Sequence, residues 1–198
     1  MKHKMSKESE PAKPASPPLS APTQPAKPAT PSPPAAASAP APSPDLDRAK
    51  ALATRITSSQ PTAKVEWMKP RRLKVSASPN TIKDVALFAR DSLGFNHISA
   101  VSGVDWIAKN ELEVIYFVGS TTHGQEDFVL AVSERIPRDN PVVPTLIGVW
   151  KGAEYQERET HEMFGINFQG HPDQSHLFLP EDWNDLPPLR KDYVSPGR

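Results

Sequence analysis

The sequence predicts an α+β fold, in which a helix packs on an antiparallel β meander and a second helical segment leads into an extended C-terminal arm. One helix-period segment precedes three closely spaced strand-period segments, and strands joined by short links usually pair as antiparallel neighbours. The first 44 residues are rich in proline and poor in large apolar side chains. Subtracting them from the 198-residue chain leaves 154 residues, enough for one domain with a hydrophobic core.

The N-terminal segment, residues 1–44, contains 13 of the 24 prolines, together with five lysines and two glutamates. It cannot bury enough apolar surface to offset its conformational entropy, so we expect a disordered Pro/Ala-rich tail. The segment lacks the apolar region of a secretory signal and the arginines of a mitochondrial one. One alternative hypothesis makes the protein an adaptor that acts through this tail, because proline-rich segments bind proline-recognising modules.

The globular domain is predicted to span residues 45–165, and two helices open it. The first has Asp45 as its N-cap and ends before Pro61. The second covers residues 79–93, with Ser78 as its cap, and its end is marked by Gly94. Its apolar face, at helical spacing, consists of Ile82, Val85, Ala86, Ala89 and Leu93.

Alternating or continuous apolar residues predict the strands. Residues 73–77 form the first strand candidate, and the meander consists of residues 95–104, 112–118 and 128–132. His123 and Gly124 mark the turn between the last two strands.

A second helical region is predicted for residues 145–164, interrupted near Gly152 and stopped by Gly165. Beyond it, residues 166–198 contain five prolines and four aromatic residues but follow neither the helix nor the strand period. This segment is too long for an ordinary loop and too apolar for a disordered tail. We therefore predict an extended docking arm that lies against another surface.

Charged residues are concentrated at the end of the second helical region, just before the arm, at Glu157, Arg158, Glu159 and Glu162. Glu154 and Arg158 are four residues apart and could pair on a helix. Three nearby histidines raise a second alternative, a standalone metallohydrolase that uses His161, His171 and His176 with the neighbouring glutamates. The metalloprotease pattern His-Glu-x-x-His is incomplete, because Gly165 occupies the place of its second histidine.

The same run, Glu-Arg-Glu-x-x-Glu-Met-Phe-Gly-Ile-x-Phe-x-Gly-His-Pro, resembles the signature of the C-subunit family of respiratory complex I, the proton-pumping NADH:quinone oxidoreductase. The resemblance includes archaeal and hydrogenase-type relatives and covers roughly residues 70–195. Similar strings occur at 104–106, 114–116, 141–145 and 179–193. Gln174, Ser175 and His176 depart from the family's Leu-Arg-Arg, which favours an archaeal or hydrogenase-like member.

The resemblance implies a peripheral, non-redox subunit of a membrane-bound, proton- or ion-translocating quinone oxidoreductase. Such a subunit scaffolds the large hydrogenase-like subunit near the quinone site and contacts other peripheral-arm subunits. We expect no catalytic residue, metal or cofactor in this chain, with iron–sulfur clusters and quinone carried by other subunits. The absence of cysteine agrees with this expectation, because it excludes cysteine-ligated iron–sulfur clusters in this chain.

The expected location is the cytoplasmic face of the cell membrane, reached only through partners, with an organellar equivalent less favoured. No apolar run is long enough to span a bilayer. Nucleic-acid binding is not expected, because 23 basic residues balance 23 acidic ones.

The candidate site residues follow from the signature. We expect interface ion pairs and helix-end contacts from Glu157, Arg158, Glu159 and Glu162. The arm's docking is assigned to His171, Pro172, Trp183, Arg190, Lys191 and Asp192. The remaining signature positions are Phe164, Gly165 and Gly170.

Overall fold

A computed structural model describes residues 44–195, so the predicted tail lies outside the described residues except for Pro44. The described part is mixed α and β, which confirms the predicted fold class. Its helices are α1 (Pro44–Ser59), α2 (Ile82–Asp91) and α3 (Glu154–Phe164). Its strands are β1 (Lys64–Lys69), β2 (Arg72–Ala77), β3 (His97–Trp106), β4 (Glu111–Gly119), β5 (Val129–Pro137), β6 (Val142–Pro144) and β7 (Asn167–Gln169).

Five strands form one sheet in the order β1-β2-β5-β4-β3. The predicted meander is confirmed, since β4 pairs antiparallel with β3 on one side and with β5 on the other. The meander does not include β2, which pairs parallel with β5 and antiparallel with β1. The two strands β6 and β7 form a separate parallel pair that joins the start of the arm to the domain.

The three helices pack on one face of the sheet, which we call the inner face. Alternate sheet residues such as Val75, Val132 and Tyr116 point into this layer and are almost fully buried. The apolar face predicted for α2 is buried against it. Phe95 and Phe128 meet edge to face there, with ring centroids 6.1 Å apart.

Several predicted boundaries need correction. Asp45 lies in the first turn of α1, where its carboxylate accepts a hydrogen bond from Arg71 Nε at 2.8 Å, so it is not the N-cap. The helix predicted from residue 79 begins at Ile82, because residues 78–81 form a turn in which the backbone N–H of Thr81 donates to the carbonyl of Ser78. Strand β1 was not predicted at all.

The helix predicted for residues 145–164 is wrong over its first half. Residues 145–150 form turns, a short 3-10 helix follows at Lys151–Ala153, and α3 begins at Glu154. Leu146, Val149 and Trp150 are buried in the core as loop residues. Gly165 ends α3 as predicted, in the left-handed conformation at φ +69°. No helix within residues 44–195 is long and apolar enough to cross a bilayer.

Candidate functional site

Glu157 of α3 is a fully buried carboxylate that connects three parts of the domain. It accepts hydrogen bonds from the hydroxyl of Tyr116 at 3.0 Å, the hydroxyl of Thr145 at 2.5 Å and the backbone N–H of Leu146 at 2.9 Å. Burial raises the pKa of Glu157, and these three bonds counteract part of that increase. Glu157 therefore fixes α3 to β4 and to the loop after β6.

Glu162, five residues further along α3, holds the arm. Its carboxylate is buried and accepts hydrogen bonds from the consecutive backbone N–H groups of Leu177, Phe178 and Leu179. The bonds to Leu177 and Phe178 measure 3.2 and 3.0 Å. Three donors from one stretch of backbone fix the path of the chain more tightly than a single contact would.

Arg158 binds the turn that opens the arm. Its guanidinium donates to the Ser175 carbonyl at 3.1 Å and to the Ser175 hydroxyl at 2.9 Å, and it lies 3.3 Å from the Asp173 carboxylate. The predicted pairing of Arg158 with Glu154 is wrong, because Glu154 pairs with Lys151 at 2.6 Å. Arg158 is therefore a contact between α3 and the arm within this chain.

The end of α3 packs closely on β3 and the arm. An added Cβ on Gly103 would lie 2.4 Å from the ring of Phe164, so glycine is needed there for the ring to reach the strand. An added Cβ on Gly165 would lie 2.9 Å from Pro187. Phe164 and Gly165 thus let the arm return close to the helix end.

The last part of the arm is bound to the same domain. Arg190 Nε donates to the Phe164 carbonyl at 2.7 Å, and the backbone N–H of Lys191 donates to the buried Asp105 at 2.9 Å. Arg138 pairs with both Asp105 and Asp192, at 3.1 and 2.5 Å. The hydrogen bond from Arg138 holds the pKa of Asp192 below its usual range.

The remaining arm positions differ in exposure. His171 is buried, and its Nε2–H donates to the Glu154 carbonyl at 3.0 Å, while the next residue, Pro172, is exposed. Gly170 has a positive φ of +87°. Trp183 is half-buried and packs beside Tyr193, with ring centroids 6.0 Å apart.

Among the three glutamates of the signature on α3, Glu157, Glu159 and Glu162, only Glu159 is exposed. It lies at a shallow depression of about 150 Å³ formed by β3, α3 and the arm, together with Met163 and Leu189. Among the contacts of residues 44–195, no hydrogen bond or ion pair involves its carboxylate. Glu159 is thus the signature acid that a partner could reach.

The three histidines of the metallohydrolase alternative do not converge. His161 donates from Nδ1 to the Ile166 carbonyl at 2.8 Å, His176 donates from Nδ1 to the Pro180 carbonyl at 2.8 Å, and His171 binds the helix start as described above. Within the described range, no group of three or more His, Asp or Glu side chains could hold a metal ion. The arrangement does not favour that alternative.

Sequence reasoning missed the partners of the signature residues, which are Asp105, Arg138, Tyr116 and Thr145. Three of them belong to the flanking strings at 104–106, 114–116 and 141–145 that accompany the signature. The presence of these strings beside the signature indicates that their residues could contact it, but it does not show which atoms meet. Gln174 and Ser175, which replace residues of the family's Leu-Arg-Arg, make contacts within this chain. Gln174 accepts a hydrogen bond from the Phe168 backbone N–H at 3.0 Å, and Ser175 binds Arg158.

Comparison with protein families gives a match over residues 75–198 to the respiratory-chain NADH dehydrogenase, 30 Kd subunit. This span is more than half of the chain and includes all the signature residues described above. The chain belongs to this family. It is therefore a C subunit of the complex I type.

Curated relatives agree with the family match. The chain is 39% identical over 124 residues to the C subunit of F(420)H(2) dehydrogenase from Methanosarcina mazei, covering 63% of this chain and 77% of the relative. It is 42% identical over 123 residues to the C subunit of NADH-quinone oxidoreductase from Roseiflexus sp., covering 61% of this chain and 68% of the relative.

Solved structures show the same fold. A chain of the membrane-bound sulfane sulfur reductase, an archaeal respiratory membrane complex, superimposes with a TM-score of 0.66 at 25% identity, covering 74% of this chain and 86% of that chain. A trypsin-resistant fragment of Nqo5 superimposes with a TM-score of 0.53 at 24% identity, covering 64% of this chain and 98% of the fragment. The second comparison supports the fold alone.

Proposed function

We propose that this protein is a non-redox scaffold subunit of a membrane-bound quinone oxidoreductase. It docks onto the large hydrogenase-like subunit of that complex, near the quinone site. The docking surface consists of its arm and the adjoining surface of α3. The complex translocates protons or other ions, and its iron–sulfur clusters and quinone are carried by other subunits. The chain reaches the cytoplasmic face of the membrane through those partners. Its family membership and the names of its relatives support this assignment.

The observation that carries the proposal is the distribution of exposed apolar side chains. Of nine large apolar residues exposed in the described part, five are in the arm and one is in α3. Phe178 is 65% exposed and Leu189 is 55% exposed. Large apolar groups that remain exposed commonly mark a protein–protein interface. The six residues are Tyr155, Leu177, Phe178, Leu186, Leu189 and Val194.

The arm holds these side chains in place before any partner binds. Glu162 binds the backbone beside Phe178, and the backbone N–H of Leu189 donates to the Met163 carbonyl at 3.0 Å. A segment that is already ordered loses less conformational entropy on binding, which favours a permanent interface. Glu159 adds an exposed charge at the edge of the same surface.

The test is the double variant Phe178→Ser with Leu189→Ser, expressed in the native host. We expect the yield of the complex purified from membranes to fall, because the apolar anchors of the interface are removed. The control is Ile107→Ser, which removes a 47% exposed apolar residue outside α3 and the arm and should leave the yield unchanged. Normal recovery of the complex from the double variant would overturn the proposal.

A further inference from the structure

The outer face of the sheet, opposite the helices, carries an apolar groove. The groove has a volume of about 310 Å³ and is lined by Trp67 of β1, Arg72 of β2, Phe117 of β4 and two residues of β5, Val129 and Ala131. Trp67 is 38% exposed although it is one of the largest apolar side chains in the protein. The helices of residues 44–195 pack on the inner face, so they leave this groove open.

The strand registers arrange the groove in two adjoining rows of side chains. The apolar row consists of the cross-strand partners Phe117, Ala131, Lys74 and Trp67. The cationic row, two residues further along each strand, consists of the partners Val129, Arg72 and Lys69. At about 3.4 Å per residue, the two rows lie about 7 Å apart. The aromatic side chains of the groove therefore lie beside a pair of positive charges.

Lys69 and Arg72 are the two cations of the second row. They are directly opposite each other in the β1–β2 pairing, and both are exposed. Like charges in this arrangement repel each other. Lys69 Nζ lies 5.7 Å from the centroid of the Trp67 ring. Among the contacts of residues 44–195, no ion pair or hydrogen bond links either cation to an acid.

Other cations on the same face do have acidic partners. Lys74 Nζ lies 2.6 Å from Glu113 and 2.7 Å from Glu66, and Arg135 lies within 4 Å of both acids. These two glutamates are thus already engaged. The chemical complement of the groove is therefore an apolar side chain together with an acid from outside the described domain.

A second copy of this chain would not supply that acid. A two-fold dimer through the groove joins the same patch of both molecules. The lining of the groove includes Arg72 but no acidic residue. Such a dimer would bring like charges together, and like-charge contacts disfavour association. The groove therefore fits a different protein.

We propose that the outer-face groove docks a second subunit of the same membrane complex. This partner places a large apolar side chain beside Trp67 and a carboxylate about 7 Å away, on Lys69 and Arg72. Arginine binds carboxylates through paired, charge-assisted hydrogen bonds. That the partner is a subunit of the complex rests on the proposed function.

The groove and the arm are separate surfaces. The sheet order β1-β2-β5-β4-β3 places the two cations at the edge opposite β3. The end of α3 packs against β3, at Gly103, and the arm returns to that helix end. One partner can therefore occupy the groove while another binds the arm.

The first experiment uses the complex purified from native membranes, with the photoreactive substitution Trp67→p-benzoylphenylalanine. We expect a cross-link to a peptide of another subunit in which an acidic residue lies no more than about four residues from a large apolar one. The control is the same substitution at Trp106, which is 36% exposed on the same face but outside the groove, and it should not capture that peptide. A cross-link to this chain or to a second copy of it, a captured peptide without an acid, or no cross-link would overturn the proposal.

The second experiment reverses the charges beside the same probe. Lys69→Glu with Arg72→Glu should lower the yield of the cross-link about tenfold or more, because the partner's carboxylate then meets like charges. The control pair Lys64→Glu with Lys83→Glu makes the same change in net charge at exposed residues outside the groove, and it should leave the yield unchanged. Equal effects of the two pairs, or no effect of either, would contradict the assignment.

The docking of the arm and the docking at the groove can fail separately. Normal recovery of the complex from the Phe178→Ser and Leu189→Ser double variant counts against the arm alone. A complex recovered in normal yield that gives no cross-link from residue 67 counts against the groove alone.

Discussion

At the scale of single residues, the absence of a side chain at Gly103 allows the end of α3 to pack against β3. The ring of Phe164 occupies the space that a Cβ at residue 103 would need, at 2.4 Å. We predict that Gly103→Ala lowers the free energy of unfolding by about 1–3 kcal/mol, because the ring must be displaced from a packed site. Chemical denaturation would measure this.

Gly148→Ala is the matched control, since nothing lies within 4 Å of the added Cβ. It should leave the unfolding free energy nearly unchanged. If both variants were equally stable, the close packing of Phe164 on β3 would be wrong.

Glu134 of β5 provides a prediction about pH. Its carboxylate is fully buried on the inner face, and neither oxygen has a hydrogen-bond partner within the described residues. Burial raises the pKa of Glu134 from 4.5 to about 8. Between these two values Glu134 is protonated in the folded protein and ionised in the unfolded chain, so its contribution to the unfolding free energy falls as pH rises through this window.

The variant Glu134→Gln removes that titration while nearly preserving the volume of the side chain. The slope of unfolding free energy against pH between about 4.5 and 8 should become less negative by up to about 1.4 kcal/mol per pH unit. Glu157, whose pKa is also raised, still contributes a residual slope of the same sign. Urea denaturation at a series of pH values would measure both proteins. Parallel curves would exclude a titrating Glu134.

At the scale of elements, the sequence predicted those parts whose periodicity directly reflects burial. The inner face of α2 and the meander β3-β4-β5 follow from local patterns. The structure of residues 145–150 could not be predicted from such a pattern. Leu146, Val149, Trp150 and Ala153 have helical spacing, but the first three are buried in a loop. Strand β1 could not be identified, because four of its six residues are exposed and it lacks an alternating apolar pattern.

The candidate site was predictable to a similar degree. The signature indicated that Glu157, Arg158 and Glu162 matter, but their partners could not be deduced from local spacing. Tyr116 is 41 residues from Glu157, and Leu177 is 15 residues from Glu162. Only the folded structure shows that Glu157 and Glu162 are buried while Glu159 is exposed.

The arm is the element for which a prediction is most direct. Glu162→Gln replaces an acceptor-only carboxylate with an amide that has one acceptor oxygen and no negative charge. We predict faster hydrogen exchange at the backbone N–H groups of Leu177, Phe178 and Leu179, because charged acceptors form the stronger bonds. Hydrogen–deuterium exchange with peptide resolution would measure this.

Exchange in the β4–β5 pairing is the internal control, since it should stay unchanged in Glu162→Gln. A uniform increase over the whole chain would mean general destabilisation and would contradict a local role of Glu162 in holding the arm.

At the scale of the whole molecule, the chain separates residues that hold its own arm from residues left for a partner. Arg158 belongs to the first group, because it binds Ser175 and lies beside Asp173, whereas the exposed Glu159 next to it has no such contact among the described residues. Adjacent positions on one helix thus allow the two roles to be separated by substitution.

We predict that Arg158→Ala both increases hydrogen exchange in the arm of the isolated chain and lowers the yield of the assembled complex. The guanidinium would leave the Ser175 carbonyl without its donor, so the arm would lose part of its fixed path. Glu159→Gln should lower only the yield of the complex, because its carboxylate contributes no contact to the described fold. If Glu159→Gln loosened the isolated arm, or if Arg158→Ala left both readouts unchanged, this separation of the two roles would be wrong.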